Sequence, residues 1–392
     1  MLTRKKIRGM FALMLTIVLM LEIVHPIYVN AAESNTTIAT AIDISNQGKY
    51  VDRVQEKGEN NKYYYKYTTS ASGYVYFRIA KESMDPTYSP TWYLQVYDSK
   101  MNKVDYIVSD NSHEPWPIMV KKGETFYLEV YGSGTGVQDT DFSIQADFTK
   151  HENVEIEDND SAQAATKLDN GKLYLGTVDK EDEDYYKITA VKSGVYTIHF
   201  DRHDFIATNS PKWNFALYDS KLNELYEINT EFNEGGFDVD YALAKGKTIF
   251  IKIRNYNNAG GSLYELKTTF TAKKNIETEK NDNFSSADKV KLSTTIYGVL
   301  AEEGDGDYYL FKATKTGKYK VSFSLTDYVT YAQQIAIYDS SHKLIKTTNK
   351  IYKNASLTFK AKKGKKYYIR AFHAGDGGYN LGRLYRLKVS KK

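Results

Sequence analysis

The chain of 392 residues contains no cysteine and only six prolines. The absence of cysteine excludes a disulfide scaffold, a thiolate zinc site, an iron–sulfur cluster and a cysteine nucleophile. The low proline content, with only 25 glycines, excludes a collagen-like or low-complexity chain. No long amphipathic helical pattern is found, which argues against an α/β enzyme fold. A hydrophobic fraction of 41%, including 35 Tyr and 17 Phe, instead indicates a folded protein of two or three domains.

The first residues have the pattern of an export signal. Basic residues from Arg4 to Arg8 precede an apolar stretch, Met10 to Val24, and Ala31 and Ala32 end a small-residue cleavage pattern. The alternative is an uncleaved membrane anchor, but the apolar stretch is shorter than the roughly 20 residues that a membrane span needs. We therefore expect cleavage after Ala31 or Ala32 and a secreted, extracellular protein, either free or held at the cell surface by contacts alone.

Three landmarks recur along the chain in the same order. The motif Tyr-Asp-Ser begins at Tyr97, Tyr218 and Tyr338, so its copies are 121 (218 − 97) and 120 (338 − 218) residues apart. A Lys-Gly pair before an apolar run, and a Gly that opens an alternating run, repeat at similar intervals. This period is too long for a solenoid unit, so each copy is expected to be an independent domain. The predicted division is a signal peptide at 1–31 and domains at 32–150, 151–274 and 275–392.

Within each copy the apolar residues recur with a period of two. Phe126, Leu128 and Val130, for example, alternate with more polar residues. Such alternation predicts strands with one buried and one solvated face. Many short strands separated by Gly, Asn and Asp turns are typical of an antiparallel sandwich. The predicted fold class is therefore all-β, with three tandem antiparallel β-sandwich domains.

The second and third copies begin with a shared acidic pattern, Glu-x-Glu-x-Asn-Asp, and each carries a further acidic pair before two tyrosines. Calcium takes about six to eight oxygen ligands from carboxylates, amides and carbonyls. So many carboxylates close together repel one another unless a cation is bound. The alternative is that they form solvated acidic turns. We predict calcium ligands at Glu155, Glu157, Asn159, Asp160, Asp182 and Asp184, and at Glu277, Glu279, Asn281, Asp282, Asp305 and Asp307.

The first copy keeps the fold landmarks but loses most of these acids. It begins with Glu33-Ser34-Asn35 and has Asn60-Asn61-Lys62 where the acidic pair is expected. We predict that the first domain is degenerate and binds no metal.

The order Glu-x-Asn-Asp-Ser, Gly176-Thr177-Val178, Asp-x-Asp-Tyr-Tyr and a strand with Gly194 resembles the bacterial pre-peptidase C-terminal (PPC) domain. That group includes the collagen-binding domains of clostridial collagenases. The resemblance covers essentially all of the chain after the signal as three tandem units. It implies a jelly-roll-like sandwich with calcium between the N-terminal linker and the sandwich, held by the residues named above. It also implies a binding module rather than a catalytic one, although no peptidase precedes the modules here.

Motifs of common hydrolases and phosphate-binding enzymes are not found. The seven histidines form no His-Glu-x-x-His helix, and the chain has no Gly-x-Ser-x-Gly elbow and no phosphate loop. Paired carboxylates are present, as in glycosidases, but the repeated acids are better explained as metal ligands. We expect no enzyme activity.

Outward positions on one predicted strand of each copy carry aromatic and charged residues. In the clostridial relatives, exposed tyrosines on the sandwich face bind collagen, and such a stripe also suits a glycan. The alternative is that the aromatic residues stabilise cross-strand pairs or meet a neighbouring domain. The candidate ligand-binding residues are Tyr127, Tyr131, Phe250, Tyr368, Arg370 and Phe372.

The third domain is strongly basic. Residues 275–392 contain 22 basic and 11 acidic side chains, and several of the lysines cluster around one turn, from Lys360 to Lys366. Such a patch attracts polyanions, including anionic cell-wall polymers, unless it is merely a solvated surface. Export argues against nucleic acid as a partner.

The function that these observations predict is that of a monomeric, non-catalytic, calcium-binding adhesion protein that binds an extracellular polymer, either a collagen-like matrix protein or a glycan. The alternative is a structural or accessory secreted protein whose modules contact a partner enzyme or the cell wall.

Overall fold

A computed structural model describes the chain in thirteen segments, separated by short stretches. The described residues are 35–53, 62–82, 88–110, 115–137, 140–178, 182–203, 213–229, 236–255, 263–278, 281–300, 305–326, 332–375 and 383–392. The predicted signal peptide and Glu33 lie outside them. Apart from a 3-10 helix, Ile38–Thr40, every regular element of the described residues is a β-strand. None of the described elements is a helix long and apolar enough to cross a membrane.

The strands form three sets of nine, which we call modules 1, 2 and 3. Module 1 contains β1 (Ile42–Asp43), β2 (Lys49–Arg53), β3 (Tyr63–Thr68), β4 (Gly73–Lys81), β5 (Thr91–Tyr97), β6 (Lys103–Val108), β7 (Ile118–Val120), β8 (Thr125–Ser133) and β9 (Asp141–Lys150). Module 2 contains β10 (Thr166–Lys167), β11 (Leu173–Thr177), β12 (Glu183–Thr189), β13 (Gly194–Arg202), β14 (Trp213–Asp219), β15 (Glu224–Asn229), β16 (Phe237–Leu243), β17 (Thr248–Asn255) and β18 (Leu263–Ala272). Module 3 contains β19 (Asp288–Val290), β20 (Thr295–Leu300), β21 (Gly306–Lys312), β22 (Gly317–Leu325), β23 (Gln333–Tyr338), β24 (Leu344–Thr347), β25 (Asn354–Ala361), β26 (Lys366–His373) and β27 (Arg383–Lys391). The domain boundaries given above stay a prediction.

Each module is a sandwich of a five-stranded and a four-stranded sheet. In module 1 the strand orders are β1-β3-β8-β5-β6 and β2-β9-β4-β7, and modules 2 and 3 repeat both orders. All neighbours are antiparallel except the short first strand of each module, which pairs in parallel with the third. Without that first strand, the order is that of an eight-stranded jelly roll. The all-β sandwich prediction is confirmed.

The core of each sandwich lies between its two sheets. In β8, Phe126, Leu128 and Val130 are buried, as the alternation of period two predicted. Trp92 and Trp213 occupy equivalent places on β5 and β14 and are both buried in their cores.

The Tyr-Asp-Ser landmark is a tight turn that closes a hairpin. In module 2 the Asp219 carboxylate accepts hydrogen bonds from the backbone N–H groups of Lys221 (2.7 Å) and Asn223 (2.9 Å). Leu222 lies between them with a φ of 64°, which the aspartate side chain holds in place. Asp98 and Asp339 make the same turn in the other modules. The repeated motif is therefore structural.

Adjacent modules contact each other through apolar side chains. Met119 on β7 and Tyr74 on β4 pack in one cluster with Val154, Leu175 and Leu263 of module 2. Val299 and Leu384 of module 3 are buried against the core of module 2, next to β16. The first residues of the two linkers, represented by Val154 and Ile276, thus pack at these contacts.

Candidate metal centre

A segment without regular structure, residues 153–160, leads into module 2, and we call it the linking segment. Val154 forms an isolated bridge with Leu175 of β11. The N–H of Glu155 donates to the Leu175 carbonyl (3.0 Å), and the Leu175 N–H donates to the carbonyl of Asn153 (3.1 Å). These bonds hold the side chain of Glu155 at the end of the sandwich, where it is only 2% exposed.

Buried hydroxyl groups and one backbone amide hold the Glu155 carboxylate. Its Oε1 accepts from the N–H of Thr177 (2.9 Å), and its Oε2 accepts from the hydroxyls of Tyr186 (3.3 Å) and Tyr264 (3.1 Å). The two tyrosine oxygens lie 2.7 Å apart. The space is so tight that a Cβ atom on Gly176 would lie 2.3 Å from the Tyr264 oxygen and 2.6 Å from Glu155 Oε2. Only glycine fits at this position of β11.

The second buried carboxylate is Asp184 on β12. The Tyr264 oxygen lies 2.6 Å from its Oδ2 and 3.1 Å from Glu155 Oε2, so the two acids share the single hydroxyl proton of this tyrosine. Asn159 is fully buried, and one atom of its side-chain amide lies 3.1 Å from Asp184 Oδ1. The same atom lies 3.1 Å from Glu157 Oε2. The carbonyl of Asn159 accepts from the N–H of Tyr185 (3.0 Å), which ties the linking segment to β12.

Five carboxylates of module 2 form two triads that share Glu157. Within each triad, one ligand oxygen per residue lies within 4.8 Å of the other two. The first triad is Glu155, Glu157 and Asp184, and the second is Glu157, Asp160 and Asp182. The linking segment therefore meets β12, and all six residues predicted for this copy come together.

The electrostatics of the cluster favour a bound cation. Burial, followed by the negative charge of Glu157, raises the pKa of Glu155 well above its usual value. Burial and the charge of Glu155 do the same to the pKa of Asp184. Glu157 keeps contact with solvent on its outer side, yet loss of hydration and then the charge of Asp182 raise its pKa to about 7. A divalent ion among these oxygens would reverse each of these effects.

The donor set fits a hard cation. All the side-chain donors are oxygens, with five carboxylates and one amide, and calcium takes about six to eight such ligands at roughly 2.3–2.6 Å. Zinc prefers nitrogen and sulfur, and the chain has no cysteine. The Asn159 amide has two possible orientations. Rotated, its nitrogen donates to both acids; unrotated, its oxygen lies among acceptor oxygens, as it would beside a shared cation.

Module 3 repeats the buried half of this arrangement. Glu277 is 5% exposed, its Oε2 accepts from the hydroxyls of Tyr309 (2.9 Å) and Tyr385 (3.0 Å), and Tyr385 also donates to Asp307 (2.5 Å). Asn281 is fully buried beside β21, and its carbonyl accepts from the N–H of Tyr308 (2.9 Å).

The remaining predicted ligands of module 3 are less enclosed. Asp305 is buried and Asp282 is exposed. Glu279, which corresponds to the shared Glu157, lies outside the described residues. Triads of carboxylates near enough to hold one ion are found, among the described residues, in module 2 alone.

Module 1 contains a different arrangement at the same place. Asn35 is retained, and its carbonyl accepts from the N–H of Tyr64 (2.8 Å). Tyr63 stands where Asp184 stands in module 2, and Phe142 replaces Tyr264 in the strand register. Asp52 replaces Gly176 on the second strand, and its carboxylate accepts from the hydroxyl of Tyr65 (2.8 Å). In module 1 the carboxylate beside this tyrosine is thus that of Asp52 on β2, whereas in module 2 it is that of Glu155 on the linking segment.

The candidate ligand-binding residues lie on the outer faces of the five-stranded sheets and are all half-buried. Tyr127, Phe250 and Tyr368 each lie opposite the tyrosine of the Tyr-Asp-Ser motif of their module. Tyr131 is different, because it belongs to a ladder of three stacked rings. Its ring centroid lies 4.8 Å from that of Tyr93, which lies 6.1 Å from that of Tyr106.

A second aromatic group covers the corresponding face of module 3. The ring of Phe284 stacks on His342 at 3.9 Å and meets Tyr368 edge-on at 5.2 Å. The guanidinium of Arg370 lies 4.6 Å from the ring centroid of Phe372 and 5.4 Å from that of Tyr308. Three of the predicted residues therefore join one aromatic and cationic surface.

Sequence reasoning missed the tyrosines that hold the carboxylates. Tyr186 and Tyr309 are the second tyrosines of the Asp-x-Asp-Tyr-Tyr pattern, but a buried hydroxyl cannot be told from a packed ring by spacing alone. Tyr264 and Tyr385 leave one signal, which is the change to Phe142 in the copy that also loses its acids.

The fold and the site define a class of tandem jelly-roll modules with an acidic linker junction. No known family profile matches the chain. Over 177 residues, the chain is 31% identical to "Collagenase ColT" of Clostridium tetani (strain Massachusetts / E88), which covers 42% of this chain and 17% of that protein. The chain thus spans about a sixth of the length of the curated relative that it matches. This match bears out the resemblance of the chain to clostridial collagenases.

Matches among solved structures include the pre-peptidase C-terminal domain of a collagenase from Bacillus anthracis. It has 22% identity and a TM-score of 0.23 and covers 26% of this chain and 93% of that one. The tandem CBM22 domains of Paenibacillus barcinonensis Xyn10C have 10% identity and a TM-score of 0.20, and cover 55% of this chain and 85% of that one.

Proposed function

We propose that the chain is a secreted, non-catalytic, calcium-binding adhesion protein. Its PPC-like modules bind an extracellular polymer, with a collagen-like protein as the first candidate and a glycan as the second. Calcium is held at the junction between the linking segment and the sandwich in modules 2 and 3.

The observation that carries this proposal is the pair of carboxylate triads sharing Glu157. In each triad the ligand oxygens lie within 4.8 Å of one another, so the acids repel strongly when ionised. The buried tyrosine hydroxyls satisfy only the inner oxygens of Glu155 and Asp184. A calcium ion would take the oxygens that face Asn159 and Glu157, and it would draw the linking segment onto β12.

Calcium in this place is a structural element. The linking segment has one isolated bridge to β11 and no continuous strand pairing. An ion that joins Glu155 and Glu157 to Asp182 and Asp184 fixes the path of this segment and thereby the position of the preceding module. Tandem modules in a fixed arrangement gain avidity for a repetitive ligand.

Polymer binding is supported by the aromatic surfaces. The ladder of Tyr106, Tyr93 and Tyr131 is a flat row of rings on a solvent-facing sheet, with Lys62 and Lys103 beside its ends. Stacked rings of this kind contact a stiff polymer with little loss of side-chain freedom. The relative in Clostridium tetani is named a collagenase, which is why collagen is the first candidate.

The metal is tested by calorimetric titration of the chelator-treated protein with calcium. We expect two ions per chain, and loss of both in the double variant Glu157→Gln/Glu279→Gln. The matched control is Glu183→Gln, which removes an acid of β12 whose partner is Lys252 and not the cluster. Two ions bound by the double variant would refute the ligand assignment.

The ligand is tested by sedimentation with insoluble collagen, chitin and peptidoglycan, in calcium and in chelator. We expect binding to one of them that falls at least about tenfold in the variant Tyr93→Ala/Tyr131→Ala, as is usual for aromatic anchors. The control is Tyr185→Ala/Tyr218→Ala, which removes two half-buried tyrosines from the same face of module 2. If the protein binds none of the three polymers, the accessory or structural role is favoured instead.

A further inference from the structure

The four-stranded sheet of module 3 presents an outer face without acidic residues. Strands β20, β27, β22 and β25 contain no Asp or Glu. Away from the edge that meets module 2, where Tyr297, Val299 and Leu384 lie, the outward positions carry basic side chains and small polar ones. The cations are Lys318, Lys320, Lys360, Arg386 and Lys388, and between them lie Ser322, Ser324, Asn354, Ser356, Thr358 and Ser390.

The register arranges the five cations in a diagonal line, which we call the basic stripe. Lys318 and Lys360 are directly opposite on β22 and β25. Along β22, Lys320 follows, and the next two outward positions, Ser322 and Ser324, lie opposite Lys388 and Arg386 of β27. With a rise of about 3.4 Å per residue and strands about 4.8 Å apart, the stripe is roughly 20 Å long with neighbouring cations roughly 5–8 Å apart.

The cations of the basic stripe make no ion pair among the described residues. Four of them are exposed and Lys320 is half-buried. This distinguishes module 3 from module 1, where Arg53 pairs with Asp141 (2.5 Å) and Arg78 with Asp147 (2.9 Å) on the equivalent sheet.

Module 2 has the opposite charge on this face. Glu265 corresponds to Arg386 of module 3. Glu265 lies opposite Leu175, which precedes Gly176 on β11, and Arg386 lies opposite Tyr297, which precedes Gly298 on β20. Asp238 and Asp240 stand on β16 where β25 has serine and threonine. This face of module 3 therefore carries a cation, a serine or a threonine at positions where the same face of module 2 carries acids.

The chemistry of the basic stripe suits a linear polyanion better than a protein or a nucleic acid. Cores of protein interfaces are aromatic and depleted of lysine, whereas the stripe itself contains no apolar side chain. Single-stranded nucleic acids are bound through stacking on aromatic rings. The ring opposite Arg386, that of Tyr297, packs against module 2 and lies 5.2 Å from the Lys273 ammonium, so it already has partners. Lysine binds phosphate as a point charge, and hydroxyls between the lysines can donate to the ligand.

We propose that the basic stripe binds a polymer in which short polyols alternate with phosphodiesters. The charges of such a chain repeat every few backbone bonds, at a spacing of the same order as that of the cations, whereas a highly sulfated glycan carries them more densely. This inference rests on the proposed secretion but not on the calcium site or the aromatic surfaces.

The test is a titration of the full chain with purified poly(glycerol phosphate), in calcium and in chelator, at several salt concentrations. We expect binding in both solutions. The variant Lys320→Gln/Arg386→Gln/Lys388→Gln should bind at least about 10-fold more weakly, and the slope of log Kd against log salt should fall by about 2, because about 0.7 is lost per neutralised phosphate contact in a flexible polyanion.

The matched control is Lys362→Gln/Lys363→Gln/Lys365→Gln, which removes the same charge from an exposed turn of module 3. We expect a change of less than threefold there. Equal loss in the control, or tighter binding of heparin or a single-stranded oligonucleotide, would overturn the proposal. Salt-sensitive self-association, in which the basic stripe of one molecule binds the acidic face of module 2 of another, would also overturn the proposal. The stripe variant should still bind the same number of calcium ions as the wild type. The polyanion result is therefore independent of whether the calcium proposal holds.

Discussion

At the scale of single residues, the junction of module 2 depends on hydroxyl groups as much as on acids. The Tyr264 hydroxyl contacts both Glu155 and Asp184, and the close approach requires Gly176 on the neighbouring strand. Two buried acids can lie this close because each has a donor on its inner oxygen. Module 1, with Phe142 at the same place, has lost both the hydroxyl and the pair of acids.

Tyr264→Phe should therefore destabilise the protein without creating a cavity. Removing the hydroxyl takes away the one proton donor that the two buried carboxylates share, which costs about 1–3 kcal/mol in the free energy of unfolding. Urea denaturation in calcium measures the change. Tyr185→Phe, a half-buried tyrosine of the same strand pair, is the control and should change stability by less than about 0.5 kcal/mol. Equal effects of both changes would contradict the role assigned to Tyr264.

The pH dependence of stability in chelator should depend on Glu157. Its folded pKa of about 7 is above the usual value of a glutamate, so the protonated form favours the folded state. This contribution is fully present below the unfolded pKa, which is near 4.3, and is lost as the pH rises through 7. The Tm of the protein in chelator should therefore be higher at pH 5.5 than at pH 8.

Glu157→Gln should remove part of this dependence, and comparison with the wild type cancels the contribution of the histidines. In calcium the order should reverse, because the ion needs the ionised carboxylates. A wild-type Tm that depends on pH in the same way as that of the variant would contradict the assignment.

At the scale of elements, the linking segment and the strands differ in how their backbones are held. β17 is hydrogen-bonded on both sides, to β12 and β14. The linking segment has few backbone bonds, and several of its other contacts are made by the side chains of Val154, Glu155 and Asn159. Its order should therefore respond to the metal, while that of the sheet should not.

Hydrogen exchange in calcium and in chelator tests this difference. The amides of Glu155, Thr177 and Tyr185 all bond to the linking segment or through it, and they should exchange faster in chelator by at least about tenfold. The amide of Ile251, in the middle of β17, is the internal reference and should not change. Uniform acceleration across both groups would mean that calcium stabilises the whole module and not the segment.

At the scale of the whole molecule, apolar contacts couple consecutive modules. Met119 is 9% exposed because module 2 covers it, and Ala242 has the equivalent position in module 2, where it is also buried. Lys360 has this position in module 3 and is exposed, with Lys318 opposite it. The charge at this edge of module 3 contrasts with the apolar residues at the same place in modules 1 and 2.

Met119→Asp should separate the melting of module 1 from that of module 2. A charge in the apolar cluster costs on the order of 2 kcal/mol unless the modules move apart, so calorimetry should show two resolved transitions in place of a shared one. Lys122→Asp, in the exposed turn after β7, is the control. If the transitions of Met119→Asp and of the control coincide, the apolar cluster does not couple the two modules.

The sequence by itself determined the number of sandwiches, their strand character and most candidate ligands. These features leave local signals, because a sheet with one buried face needs alternation and a tight turn needs its aspartate and its left-handed residue. The acids of Glu-x-Glu-x-Asn-Asp and Asp-x-Asp-Tyr-Tyr could also be identified from the sequence, because their spacing repeats in two copies.

Only the tertiary structure decided which side chains meet. Tyr264 is 80 residues from Asp184 and 109 from Glu155, and nothing local in the sequence relates them. The sequence placed the basic patch at the turn from Lys360 to Lys366, whereas the register of β22, β25 and β27 brings distant cations into one line. Strand order and register are set by packing between sheets, so contacts across strands follow from the fold and not from spacing along the chain.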